Sequence, residues 1–334
     1  DMTFNYLFRS GSIGSLVMRN RIVMPAMATN FASAWGEPAP RLIAYYARRS
    51  LGGAGLITVE NANIEDPVGG NGATQLRIDH DRFIPGLHHL VQAVHAGGAR
   101  VSIQINHAGA LADPKHTGCV PRGPSPVAWG RSGVLAQPLS SSEIDETIER
   151  FCAAAERAKR AGFDAVEIHG GHGYLIAQFL SPLTNRRTDE YGGSPETRWR
   201  FALQVVERVR GRVGASFPIV FRLSIDEFVP GGRDLEESIK LCEELVDVGV
   251  DAISATAGTS TSLAKQLEPM SYPQGWRTYL ASAVKKSVKI PVITVGVIRT
   301  PDVAEQILRE GNADFVAIGR GLIADPDWPR KARS

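Results

Sequence analysis

Residues 164–201 read DAVEIHGGHGYLIAQFLSPLTNRRTDEYGGSPETRWRF. The run from Ala165 to Ile168 is short, apolar and β-branched, and Gly170 and Gly171 stop it, which predicts a buried strand ending in a sharp turn. His169, His172 and Tyr174 fall at that turn, before the helical run that follows. Parallel α/β folds do their chemistry at the carboxyl ends of strands, so these three side chains are the first candidates for a site.

Outward from this stretch, strand-like runs recur at 22–25, 56–60, 100–105, 218–223, 251–255, 291–296 and 314–319. Helical periodicity separates them at 40–50, 81–96, 195–213, 234–248, 276–287 and 301–310. Ser142, with Asp145 three residues on, predicts the capped start of one more helix, whose apolar face carries Ile144, Ile148, Phe151 and Cys152. About eight strand–helix units result, the number that closes a parallel barrel. The expected fold is α/β, a single (β/α)8 TIM barrel over 1–334, with a long Gly-, Pro- and Ser-rich loop at 106–139 after the third strand. An open dinucleotide-binding sheet would want G-x-G-x-x-G after its first strand, and neither Gly11 to Gly14 nor Gly53 to Gly55 stands there.

Bulk properties narrow the function. A net charge of +2 provides no strong field for nucleic acid or an anionic membrane. Cys119, Cys152 and Cys242 form no C-x-x-C pair, which argues against a disulfide framework, a zinc ribbon or an iron–sulfur cluster among these residues and suits a reducing cytoplasm. No apolar run is long enough to span a membrane, and the first residues lack the basic head and apolar run of a signal peptide. A small-molecule partner is expected, with homo-oligomerisation left open.

In a barrel, the residues just after each strand converge on one face. These are Pro25, Ala26 and Met27; Asn61; Gln104, Asn106 and His107; His169, His172 and Tyr174; Arg222; Gly296 and Val297; Gly319 and Arg320. The set holds donors, imidazoles and cations but hardly any carboxylate, unlike a glycosidase or metal hydrolase. Gly296, Gly319 and Arg320 end the last two strands, where barrels often bind phosphate; that glycines merely terminate strands is the other reading. A metal on His169 and His172 lacks an evident third ligand, so none is expected. His80, His88, His89, His95 and His116 read as surface or packing residues, and 185–194 as a structural loop.

The motifs H-x-x-H-G-Y-L, FLSPLTNRRTDEYGGS and ETRWRF, with RIVMPAM, ITVEN, SIQINHAG, IVFRLS, PVITVGVI and FVAIGRGLIADP, resemble the Old Yellow Enzyme family of FMN-dependent ene-reductases over nearly the whole chain. The likeness is greatest to its thermophilic-like branch and to the N-terminal barrel of bacterial 2,4-dienoyl-CoA reductases. It implies tight, non-covalent FMN, with NADH or NADPH as reductant and an enone, enal or enoyl thioester as substrate. Pro25, Ala26 and Met27 would line the flavin ring and Asn61 would stand beside it. Gln104 would face its pyrimidine, Arg222 its N1 and C2 carbonyl, and Gly296, Val297, Gly319 and Arg320 the phosphate. His169 and His172 would donate to the substrate carbonyl, and Tyr174 would protonate the α-carbon.

Ala28, Asn30 and Ala110 depart from residues common in relatives, a redox-tuning Cys, an active-site Tyr and an Arg, which leaves flavin potential and substrate fit open. An amine dehydrogenase on the same barrel is the nearest alternative, although that group typically has Tyr where His169 stands; a metal-dependent barrel hydrolase is the alternative of another class. The larger dienoyl-CoA reductases continue past the ADPDWPRKARS end, so the chain is expected to be either a stand-alone barrel or part of a longer protein.

Overall fold

The structure, a computed structural model, describes residues 4–334, so the first three residues of the span assigned to the barrel lie outside it. Eight parallel strands close in chain order. They are β1 (Ile22–Met24), β2 (Leu56–Asn63), β3 (Arg100–Asn106), β4 (Ala165–Gly170), β5 (Ile219–Ser224), β6 (Ala252–Thr256), β7 (Val292–Val295) and β8 (Phe315–Ala317). Closure sets Val316 opposite Ile22 and Ala317 opposite Val23. The surrounding helices are α1 (Pro40–Leu51), α2 (Ile84–Ala96), α3 (Ser141–Ala161), α4 (Pro195–Val213), α5 (Leu235–Asp247), α6 (Thr278–Ser287), α7 (Pro301–Arg309) and α8 (Arg320–Ala324). None of those described is long and apolar enough to cross a membrane.

Strands covered on both sides must be apolar on both sides, and β2 is buried at every position. One core lies between strands and helices, with Phe151, Phe179, Phe201 and Leu241 among its members. A second fills the barrel itself, where Val23, Leu56, Val220 and Phe315 meet Ile13, Leu16 and Met18. The last three come from an antiparallel hairpin of Gly11–Ile13 and Leu16–Met18, which the sequence reading did not anticipate. Gly11 lets it seat: a Cβ there would lie 2.7 Å from the Phe315 ring. Burying one such apolar side chain is worth about 1.5–3 kcal/mol. An exposed pair such as Lys240 and Glu236 contributes less than about 1 kcal/mol, so the two cores dominate the stability.

The start of α3 corrects the expected cap. Ser140, not Ser142, is the N-cap: its Oγ accepts from the Glu143 amide at 3.2 Å, and Glu143 Oε2 accepts from the Ser140 amide at 2.8 Å. A glutamate at the third position is long enough to reach back to the cap, whereas Asp145 pairs with Arg208 instead. Between β3 and α3 the chain is less irregular than its composition suggests, with a short helix, Pro114–Thr117, and two-residue strands, Arg122–Gly123 and Gln137–Pro138. Trp129 of this segment donates its indole N–H to the Gly173 carbonyl at 3.0 Å, fastening it beside the end of β4. In the 185–194 loop, the Asn185 amide donates to the carbonyls of Phe179 and Tyr191, both at 2.7 Å.

Candidate active site

The turn after β4 is shaped by its two glycines. A Cβ on Gly170 would meet the Phe221 ring at 2.3 Å, and one on Gly171 would stand 3.1 Å from the Ser224 amide. The chain therefore lies flat against β5. His172 then adopts φ +60°, a left-handed conformation that costs a non-glycine residue of order 1–3 kcal/mol. Its amide donates to Ser224 Oγ at 3.0 Å, which helps to hold it there. Three rings gather as a result: His169 lies 5.3 Å from His172 and 5.1 Å from Tyr174, centroid to centroid. His172 and Tyr174 border a cavity of about 490 Å³ with Asn71, Trp129 and Gln266.

The electrostatics of this cluster follow from burial. Removal from water, reinforced by the Arg222 charge, holds both imidazoles well below their ordinary pKa of 6.5. Both are neutral at physiological pH. His169 Nδ1 accepts from the Gly171 amide at 3.3 Å, which leaves its proton on Nε2. Burial pushes the Tyr174 phenol above its ordinary 10.0, with Asn71 beside it pulling the other way.

Below the imidazoles runs a polar column that sequence reasoning found only in part. Strand pairing sets Gln104 beside Glu167, and His169 beside Arg222. Gln104 donates to Glu167 Oε1 at 2.8 Å, and Arg222 donates to the Ala26 carbonyl at 3.0 Å. Glu167 contradicts the expectation that carboxylates are nearly absent. The available signal was its position two residues before His169, which on a strand means the same face. Burial pushes its carboxyl up, while Arg222 and Gln104 oppose that push.

The expected phosphate end also comes together. Pro25, Met27, Arg222, Gly296, Val297, Gly319 and Arg320 line a second cavity, of about 150 Å³. Gly296 has φ +126°, and among the described residues no carbonyl accepts from the amides of Gly296, Val297, Gly319 or Arg320. Two residues here were missed. Glu268, 3% exposed, lies 3.1 Å from Arg277 Nε and accepts from the Trp276 indole at 3.0 Å, while Arg320 donates to the Glu268 carbonyl at 2.6 Å. They sit in the connection from β6 to α6, where no local pattern marks an inward-facing charge.

Asn61 is buried at the end of β2, where its Oδ1 accepts from Gln75 at 2.6 Å. His107, grouped with the converging residues from sequence, bonds Glu65 at 2.9 Å and is part of the scaffold.

Residues 6–334 match the NADH:flavin oxidoreductase / NADH oxidase family. The chain belongs to that family. It is 52% identical over 99% of its length to an NADH oxidase of Thermoanaerobacter brockii, of which it spans 51%. It is 37% identical to an NADPH dehydrogenase of Clostridium acetobutylicum, over 96% of this chain and 92% of the relative. Among solved structures, a 2-naphthoyl-CoA reductase complex superposes with TM-score 0.93 at 29% identity, over 98% of this chain and 52% of that one. An Old Yellow Enzyme homologue from Zymomonas mobilis gives TM-score 0.84 at 29% identity, over 97% and 91%. The chain thus spans about half the length of the longer relatives and nearly all of the shorter ones.

Membership in this flavin oxidoreductase family brings FMN as cofactor. The residues present fit FMN. Unpaired amides beside Arg320 suit a phosphate, and Arg222 Nε is buried without a protein partner on the strand next to that of Glu167.

Proposed function

We propose that this barrel is an ene-reductase of the Old Yellow Enzyme type, reducing the C=C bond of an α,β-unsaturated ketone, aldehyde or enoyl thioester at the expense of NADH or NADPH. One observation carries the reading: two neutral imidazoles and a protonated phenol stand together at the end of β4, beside the Arg222 charge. FMN, when bound, supplies hydride to the β-carbon. His169 and His172 hold the substrate carbonyl oxygen by hydrogen bonds, which strengthen as negative charge gathers there. Tyr174 gives its proton to the α-carbon; a phenol suits this because it stays protonated at neutral pH.

In the same proposal, Pro25, Ala26 and Met27 line the flavin ring, with Asn61 at its edge. Gln104 would hold the pyrimidine side, and Arg222 would supply positive charge to the reduced ring. Gly296, Val297, Gly319 and Arg320 would hold the phosphate. None of these is an attachment point, so the cofactor is non-covalent.

The test is anaerobic stopped-flow reoxidation of the NADPH-reduced protein against enones and enoyl-CoA esters, with amines offered to the oxidised protein as controls. Rapid reoxidation by an enone is expected. Reduction of the flavin by an amine, with no enone response, would replace the reading with an amine dehydrogenase.

The pH profile follows from the charge states. A lowered imidazole pKa means protons are gained only below pH 6.5, and a raised phenol pKa means the proton is lost only above pH 10. Enone-dependent reoxidation is therefore expected to show no imidazole inflection above 6.5 and no phenol inflection below 10. A midpoint at neutral pH assignable to either histidine would contradict the neutral-donor scheme.

A further inference from the structure

We propose that Thr256 is a positioning residue that fixes which ring nitrogen of His172 carries the proton, so that this imidazole turns an N–H toward the substrate oxygen. The inference rests on the reading of His172 as a carbonyl donor.

Thr256 ends β6 and is fully buried. Its Oγ1 lies 2.9 Å from His172 Nε2 and has no other hydrogen-bond partner among the described residues. A buried hydroxyl that donates to nothing costs about 1–3 kcal/mol, so the proton of Thr256 points at Nε2. A nitrogen that accepts is unprotonated, and a neutral imidazole then has its proton on Nδ1. Among the described residues Nδ1 has no protein partner, and the ring borders the cavity that also holds Tyr174.

The backbone leaves the ring little alternative. Ser224 Oγ accepts the His172 amide at 3.0 Å and donates to the Gly258 carbonyl at 2.8 Å, clamping the strained residue between β5 and the segment after β6. His169 is set the other way, with its proton on Nε2 because Gly171 donates to Nδ1. The two imidazoles thus offer opposite nitrogens. Were His172 to take the other tautomer, it would turn a lone pair toward the substrate oxygen, and a donor would become a repulsion.

The test uses FMN-loaded protein labelled with 15N-histidine, the His172 ring being assigned by comparison with His172→Ala. Long-range 1H–15N correlation should show Nδ1 protonated in the parent and in Thr256→Ser, which keeps the hydroxyl. Thr256→Val, close in volume but without the donor, should lose the Nδ1–H form. It should also slow cyclohexenone-dependent reoxidation about 10- to 100-fold, by analogy with the loss seen when the partner that orients a metal-ligating histidine is removed. Reduction by NADPH should be unchanged, and Thr256→Ser should recover the oxidative rate. Nε2–H in the parent, or the same tautomer in Thr256→Val, would overturn the inference; so would FMN loss in Thr256→Val with the tautomer retained. Parental reoxidation in His172→Ala would instead remove the reading beneath it, so the two failures are separable.

Discussion

His172→Ala is expected to slow enone-dependent reoxidation about 100- to 1000-fold while leaving FMN bound, the range seen when one preorganised donor to a developing oxyanion is removed. The effect is large because the ring is neutral and already oriented by the Thr256 contact, so none of its stabilisation is spent on reorganisation. FMN should stay because the unpaired amides at Gly296 and Gly319 and the Arg222 column belong to other strands. Stopped-flow reoxidation with cyclohexenone, alongside the flavin absorbance of the purified variant, decides it. Equal rates for variant and parent would rule out the carbonyl anchor, and loss of the flavin would assign His172 to cofactor binding.

Tyr174→Phe is expected to slow the same reoxidation about 100- to 10,000-fold, the contribution of a positioned general acid, and to leave reduction by NADPH nearly intact. The ring stays and only the hydroxyl goes, so packing against His169 is preserved. Burial pushes this phenol above its ordinary pKa, so the parent keeps the proton to be donated throughout the neutral range. A deuterium-labelling experiment adds a second readout: in the parent the α-carbon should acquire a solvent-derived proton on one face, and in the variant that selectivity should fall. An unchanged oxidative rate would remove Tyr174 from the chemistry.

How far the site was legible depended on the range of the signal. His169, His172 and Tyr174 lie within six consecutive residues, and strand geometry followed by a glycine turn brings them together. Gly296, Gly319 and Arg222 were placed by counting strands, because each stands on or just after a strand. Glu167 was readable from period-two spacing and was overlooked. Glu268 and Arg277 carried no such signal: a buried ion pair made in a long connection has no periodicity and announces itself only by contact. The hairpin plug of Ile13, Leu16 and Met18 was missed for the same reason, its partners being the barrel-facing residues of distant strands.

The amino-acid sequence by itself determined the barrel, the order of its units and the side chains offered at its mouth, because apolar period and glycine stops are local properties. Only the tertiary structure decided the charge state and direction of those side chains. Burial made the imidazoles neutral, and Thr256 and Gly171 face opposite ring nitrogens of the pair. Desolvation, and the hydrogen-bond direction at His172, depend on neighbours brought in from other strands: Thr256 stands 84 residues from His172 in the chain yet touches it across the closed sheet.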